Sequence, residues 1–293
     1  MIKPNFLIIG SPKCGTTSLY NYLGQHPDIE FSDVKEPKYF SFKDLNLNFN
    51  ANKVVLSQLM KSTIQNENEY LELFKNKNAK FIGEASPNYF HYEPSARNIY
   101  DFYPEMKLIV ILRNPVERLY SDWKHNVRMG YDKQYNFRKA LNLIEKRKLN
   151  NEPPYFDYLE KGYYAKHLKR YYGLFKEKQI KIVFYNDLKN DANKVCNDII
   201  KFLGMDTPFD FETSKIYMKS HPIIKYDFLF KISILLQKVS YQLYKYLKGK
   251  SMISEYILTS DKEYALNYYR KDILKLEKLI NKDLSNWYKK NNI

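Results

Sequence analysis

The fold is decided at Phe6-Leu7-Ile8-Ile9-Gly10-Ser11-Pro12-Lys13-Cys14-Gly15-Thr16-Thr17-Ser18-Leu19-Tyr20. Four apolar residues, Phe6 to Ile9, run straight into Gly10 and read as a short buried strand. A polar loop follows, Ser11 to Thr17, and Ser18 onward propagates as a helix. A strand, a Gly-bounded loop and a helix start make an anion cradle. The loop N–H groups point inward and the helix N-terminus adds its partial positive charge. Gly10 and Gly15 have the spacing of a nucleotide-binding P-loop, but Thr16-Thr17 stands where Lys-Ser/Thr would. The lysine lies inside the loop, at Lys13.

Outward from this loop, strands and helices alternate. Residues 79–83 predict a second strand, delivering Glu84-Ala85-Ser86-Pro87. Lys107 to Leu112 (KLIVIL) is an unbroken apolar run of the parallel-sheet type, feeding Arg113-Asn114-Pro115 and a helix from Val116 to about Asn126. Ile180 to Tyr185 reads as a further strand, and Asn193 to Leu203 as a helix closed by Gly204. Helices are also expected at Ser18 to Gly24, Glu67 to Lys75, Ser95 to Tyr103 and Gly162 to Phe175. The pattern predicts an α/β fold of P-loop-like type, three layers with a central parallel sheet flanked by helices, in one domain over residues 1–293. Residues 131–160 look mixed and peripheral. Apolar residues at helical spacing over 226–247 predict a peripheral amphipathic helix, with membrane-surface or partner contact as its alternative role. Lys262 to Lys289 reads as a second amphipathic helix or helix pair packed on the core.

A formal net charge of +15 favours an anionic partner. The basic residues are spread along the chain and no zinc-finger or RNP-type signature is present, so nucleic acid is not the expected partner. The two cysteines, Cys14 and Cys196, suit a reducing compartment. The N-terminus lacks the basic-then-apolar pattern of a signal peptide, and no run approaches the ~20 apolar residues of a membrane span. A soluble cytoplasmic protein is expected, with the inner face of the membrane as the alternative location.

In a P-loop NTPase a later strand ends in an Asp that holds Mg²⁺. Here KLIVIL ends in Arg113, and an arginine at the carboxyl end of a strand faces the ligand crevice of an α/β sheet. It suits a second phosphate rather than a metal. Two anion sites without an acidic metal pair point to a ligand carrying two separate phosphate groups. Glu36, just before Pro37, is placed on a loop or strand end. The histidines His26, His91, His125, His167 and His221 show no metal-ligand spacing.

These segments resemble the sulfotransferases that use 3′-phosphoadenosine 5′-phosphosulfate (PAPS), and within them the branch of the heparan sulfate N- and 3-O-sulfotransferases and their bacterial relatives. FLIIGSPKCGTTSLYNYLGQHPDI, from Phe6, resembles that family's 5′-phosphosulfate loop. KLIVILRNPVERLYSDWKH, from Lys107, resembles its 3′-phosphate strand, loop and helix. KEPKYF, GEASPNYF, the GYYAKHLKRYYGLF stretch and the terminal LEKLINKDLSNWY support the match in order along the chain.

The resemblance implies that Lys13 contacts the sulfuryl group and bridging oxygen. Cys14, Gly15, Thr16, Thr17 and Ser18 would surround the 5′-phosphate, and Arg113 and Ser121 would bind the 3′-phosphate. Glu36 matches the base that takes the proton from an acceptor hydroxyl or amine during in-line transfer. Lys219 and His221 lie in Met218-Lys219-Ser220-His221-Pro222, a partial match to the loop that closes over the cofactor. PAPS is then the co-substrate, no metal is implied, and the expected acceptor is a carbohydrate, as glycan or glycolipid. Ala85 stands where many relatives carry lysine. Acidic residues near Glu84, together with Tyr, Lys and Asn side chains of 41–80 and 131–160, are expected to build the acceptor cleft. The alternatives are a P-loop nucleotide kinase and a non-enzymatic basic module for glycans or membrane surfaces.

Overall fold

The computed structural model describes residues 2–43, 48–51, 53–61, 63–215, 217, 223, 224, 232, 240, 243, 246, 247, 252–254 and 256–289. Its centre is a parallel sheet of five strands: β1 (Phe6–Gly10), β2 (Ile29–Phe31), β3 (Phe81–Ala85), β4 (Lys107–Leu112) and β5 (Ile180–Phe184). Their order across the sheet is β2-β3-β1-β4-β5, and every neighbouring pair is parallel.

Alternate side chains of each strand point to opposite faces. Leu7, Ile9, Leu108, Val110 and Leu112 enter one core, whereas Phe6, Ile8, Ile109 and Ile111 enter the other. This is why FLII and KLIVIL carry no polar alternation: both faces are covered. The fold is α/β, P-loop-like, with a layer of helices on each side of the sheet.

One layer contains α1 (Thr16–Leu23), and the other contains α5 (Glu93–Phe102), α6 (Pro115–Arg128) and α9 (Tyr164–Tyr172). Short helices α2 (Tyr39–Phe42), α3 (Lys53–Met60) and α4 (Glu67–Glu72) follow β2 and lead to β3. Further along lie α7 (Phe137–Asn142), α8 (Ile144–Leu149), α10 (Tyr185–Asn190), α11 (Ala192–Leu203) and α12 (Thr259–Ile280). α11 joins α1 in its layer, and α12 packs against α9 and α6.

The connection from β1 leaves toward β2 and that from β4 toward β5, so the sheet has its switch point between β1 and β4. Ligand crevices of open α/β sheets lie at the carboxyl ends of such a strand pair. Lys13 and Arg113 are on the two loops concerned. β1 and β4 can stop where they do because of local chemistry. A Cβ on Gly10 would sit 2.5 Å from the Cβ of Phe90, so only glycine lets the chain turn there. After β4, the Asn114 side chain accepts from the Val116 N–H at 3.0 Å and Pro115 occupies the first turn, which starts α6 at once.

Two expectations need correction. Residues 131–160 are not peripheral: Phe137, Ala140, Leu141, Ile144, Phe156 and Tyr158 are buried in the core. The strand read at 79–83 runs Phe81–Ala85, so Glu84 lies within the sheet and not on a loop after it. The segment 226–247, expected as an amphipathic helix, lies outside the described residues except at isolated positions, and Lys219 and His221 lie outside them entirely. No helix among the described residues is long and apolar enough to cross a membrane.

Candidate active site

The loop after β1 is fastened from beneath. The Ser11 N–H donates to the Ile111 carbonyl of β4 at 2.8 Å, and Ser11 Oγ donates to the Lys161 carbonyl at 3.3 Å. Gly15, with φ +93°, turns the chain into α1 and leaves that helix without a side-chain cap. The first N–H groups of an α-helix have no intrahelical partner. With no cap to take them, the amides around Thr16, Thr17 and Ser18 are available to an anion.

These residues line a cleft of about 740 Å³ together with Arg113, Ser121 and residues of α10. Lys13, Gly15, Thr16, Thr17, Ser18, Arg113 and Ser121, singled out from sequence, therefore meet on one surface. The Arg113 guanidinium donates to Glu117 Oε2 through Nη2 at 3.1 Å and through Nε at 3.2 Å, and it lies 4.6 Å from the Tyr185 ring centroid. Carboxylate below and ring beside it fix the plane of the fork. The far wall holds Tyr22 and Tyr217, with ring centroids 5.9 Å apart, and Tyr22 Oη donates to the Lys215 carbonyl at 3.0 Å. Neither tyrosine was expected, since they are far apart in sequence and follow no motif.

Cys14 departs from the expectation. It is fully buried in the core between sheet and α1, its Sγ is 3.7 Å from Tyr164 Oη, and its N–H donates to the Ser11 carbonyl at 3.2 Å. The thiol donates to the Pro12 carbonyl at 3.7 Å, so both donors of Cys14 are engaged inside the protein, and it shapes the loop and does not face the cleft. Burial raises its thiol pKa.

A second cleft, of about 180 Å³, shares Lys13, Thr16 and Thr17 with the first. Its other walls carry Glu36, Lys38, Asn88, His125, Tyr131 and Tyr155. The contribution expected from 131–160 thus arrives as Tyr131 and Tyr155, while among the described residues none of 41–80 lines this cleft. Glu84 does not line it either, being completely buried. His125 was missed. It lies on α6 four residues beyond Ser121, one helical turn along the same face, a spacing that could have pointed to it.

Lys13 joins the two clefts. Burial lowers its pKa from 10.5 to about 8, against the opposing pull of Asp122. Burial and then the Lys13 charge lower His125 to about 4, leaving a neutral imidazole in the cleft. Beneath them Asp122 pairs with Arg118 at 3.1 Å and with Lys161 at 2.8 Å, all three buried. Burial opposes ionisation of Asp122, but Lys161 and Arg118 outweigh it and hold the carboxyl below its usual range.

The backbone is unusual here too. Lys13, Glu36 and Lys38 have φ of +67°, +58° and +57°. Left-handed conformations are disfavoured for residues with a Cβ, and their gathering at one place is a mark of functional geometry. Lys35 spans the gap between the two motifs: its Nζ donates to Thr17 Oγ1 at 3.0 Å and to Glu36 Oε1 at 3.2 Å. The arrangement can hold an anion at Lys13 and present a carboxylate to a second molecule arriving from the other side.

The family described as sulfotransferase domain matches residues 3–250 of the chain. Among solved structures, a sulfotransferase from Alicyclobacillus acidocaldarius is similar with a TM-score of 0.79 at 31% identity, covering 99% of this chain and 100% of that one. Among curated proteins, the bifunctional heparan sulfate N-deacetylase/N-sulfotransferase 4 of Mus musculus is 30% identical over 216 residues, 71% of this chain and 23% of that protein. Carbohydrate sulfotransferase 15 of Mus musculus is 30% identical over 254 residues, 69% of this chain and 44% of that protein. The chain thus spans less than half the length of these two curated relatives.

Proposed function

The chain belongs to the sulfotransferase domain family, and on that premise we propose that it transfers a sulfuryl group from PAPS to a hydroxyl or amine of a carbohydrate acceptor. The observation that carries this reading is the pair of clefts meeting at Lys13, one with two anion-binding ends and the other with Glu36. The larger cleft fits the proposed donor by size, because nucleotide-sized ligands occupy pockets of roughly 300–1,000 Å³. It fits by chemistry as well. The uncapped start of α1 suits the 5′-phosphate, and the Arg113 fork with Ser121 suits the 3′-phosphate.

Within this proposal each residue has a definite task. Glu36 takes the proton of the acceptor O–H or N–H as the acceptor atom bonds to sulfur. Lys13 stabilises the charge that gathers on the bridging oxygen as its bond to sulfur breaks, a contribution aimed at developing charge. Thr17 and Ser18 hold the 5′-phosphate still, which fixes the line of displacement. Lys35, bonded to both Thr17 and Glu36, keeps the base in register with the donor loop.

The acceptor class is drawn from the heparan sulfate and carbohydrate sulfotransferases named above, and from the second cleft. Tyr131 and Tyr155 lie near-parallel there, centroids 6.4 Å apart, beside the polar Asn88 and Asn126. Aromatic faces with polar neighbours suit a ring that is apolar on its faces and hydroxylated at its edge. We also propose a reducing, cytoplasmic location, because Cys14 and Cys196 are both free and buried.

The test has two stages. Calorimetry should show adenosine 3′,5′-bisphosphate binding in EDTA, and labelled PAPS should transfer its sulfuryl group to a glycan or glycolipid fraction of the cell envelope. Absence of binding, or binding only with Mg²⁺, would overturn the donor assignment. Transfer to peptides or small phenols but no carbohydrate would overturn the acceptor class.

A further inference from the structure

Glu36 stands in a backbone conformation that it would not hold unaided, as does Lys38 two residues on. Something must keep Glu36-Pro37-Lys38 in place. On the outer side, the Pro37 carbonyl accepts from the Ile64 N–H at 2.9 Å, and Lys38 Nζ donates to the Lys61 carbonyl at 3.1 Å. On the inner side the Lys38 N–H donates to Ser86 Oγ at 3.1 Å, and Ser86 Oγ donates in turn to Glu84 Oε2 at 2.8 Å. Both residues are completely buried.

The order of donors matters. A serine hydroxyl has one proton and two lone pairs. The Glu84 oxygen takes the proton, so a lone pair of Ser86 is left facing the Lys38 N–H. Tyr70 Oη donates to the other oxygen of Glu84 at 3.4 Å and steadies the carboxyl. Glu84 is in β3, in register beside Leu7 of β1, the strand that carries the Lys13 loop. One rigid sheet position is thereby connected to the loop that bears Glu36. An acid sealed into a sheet is expensive unless something uses it, and neither cleft touches this one.

We propose that Glu84 and Ser86 are positioning residues for Glu36: the pair fixes the Lys38 amide, and through it the angle at which the Glu36 carboxylate meets the acceptor. The proposal rests on the reading of Glu36 as the base. Glu84 and Ser86 touch neither donor nor acceptor, so their removal acts on turnover and not on donor affinity.

The test is a mutant cycle with Ser86→Ala, Glu84→Gln, Glu36→Gln and the double variant Ser86→Ala/Glu36→Gln, using labelled PAPS and the best glycan fraction. Ser86→Ala should lower kcat by roughly tenfold to a hundredfold, the scale of a misplaced catalytic group. Its affinity for adenosine 3′,5′-bisphosphate should stay unchanged. Glu84→Gln, which still offers Ser86 an acceptor oxygen, should instead keep most of the wild-type kcat. In the Glu36→Gln background, Ser86→Ala should change kcat by less than about twofold, because residues that act as one unit are non-additive.

A full Ser86→Ala effect in that background, or wild-type kcat in Ser86→Ala alone, would overturn the positioning role. If Glu36→Gln by itself retained wild-type turnover, the base assignment would fall first, and this proposal with it. A drop in donor affinity matching the drop in kcat would also overturn it, since that is the mark of a general structural defect.

Discussion

Replacing Lys13 by Met should make the protein more stable and nearly inactive. Lowering a lysine from 10.5 to about 8 corresponds to about 3 kcal/mol of cost for holding it charged in a largely desolvated site. Lys13 is partly exposed to two clefts, so solvent screening reduces this to about 1.5 kcal/mol. Methionine keeps the length of the side chain and faces the same positive φ, so the backbone term cancels. The cost to the wild type is present wherever the lysine is charged, below about pH 8, and disappears as pH rises toward 10.5. Urea unfolding at pH 7 should therefore favour Lys13→Met by roughly 1–2 kcal/mol, and the two proteins should converge by about pH 10. Labelled-PAPS turnover should fall at least ~100-fold. A variant that is less stable at pH 7, or whose advantage does not shrink with rising pH, would refute the reasoning. So would retained turnover.

The remaining predictions concern the groups around it. Arg113→Ala should weaken adenosine 3′,5′-bisphosphate by about 10- to 100-fold, the worth of a charge-assisted bond, yet barely alter binding of adenosine 5′-monophosphate; calorimetry with both ligands separates the two. Burial raises Glu84 to about 7 from 4.5, so its contribution to stability is full below pH 4.5 and is lost as pH rises through about 7. The stability difference between wild type and Glu84→Gln should accordingly slope across that window by up to about 3 kcal/mol, measured by urea unfolding at stepped pH; parallel curves would rule it out. Asp122→Asn leaves Arg118 and Lys161 as buried cations without a counter-charge and should cost about 3–5 kcal/mol, read as a large drop in the urea midpoint.

The parts legible in the sequence are those where a local pattern has one explanation. KLIVIL could only be a strand covered on both faces, and β4 has the expected bounds. The Gly10 to Thr17 loop and Arg113 were legible because a strand end followed by Gly or by Asn-Pro has few conformations. β2 was not legible: three residues, Ile29–Phe31, are too few to show a period. The core role of 131–160 was hidden because short helices spread Phe137, Ile144 and Phe156 among many polar residues. Asp122 and Lys161 form a buried pair across 39 positions, which no local window can register. Glu84 read as a loop acid because its neighbours Ser86 and Pro87 resemble a turn. Only the packing of Tyr70 and Ser86 around it reveals a structural acid.

The sharing of Lys13, Thr16 and Thr17 between the two clefts has a kinetic consequence. On the proposed reading the donor fills one cleft and the acceptor the other, and the two meet along this shared wall. Neither has to leave for the other to enter, so the expected rate law is a sequential one through a ternary complex, with intersecting double-reciprocal lines and no covalent sulfo-enzyme. The wall also divides what selection can alter. If the second cleft takes the proposed acceptor, substitutions at Tyr131 and Tyr155 would change which acceptor is used while the affinity of the first cleft for its nucleotide stays the same.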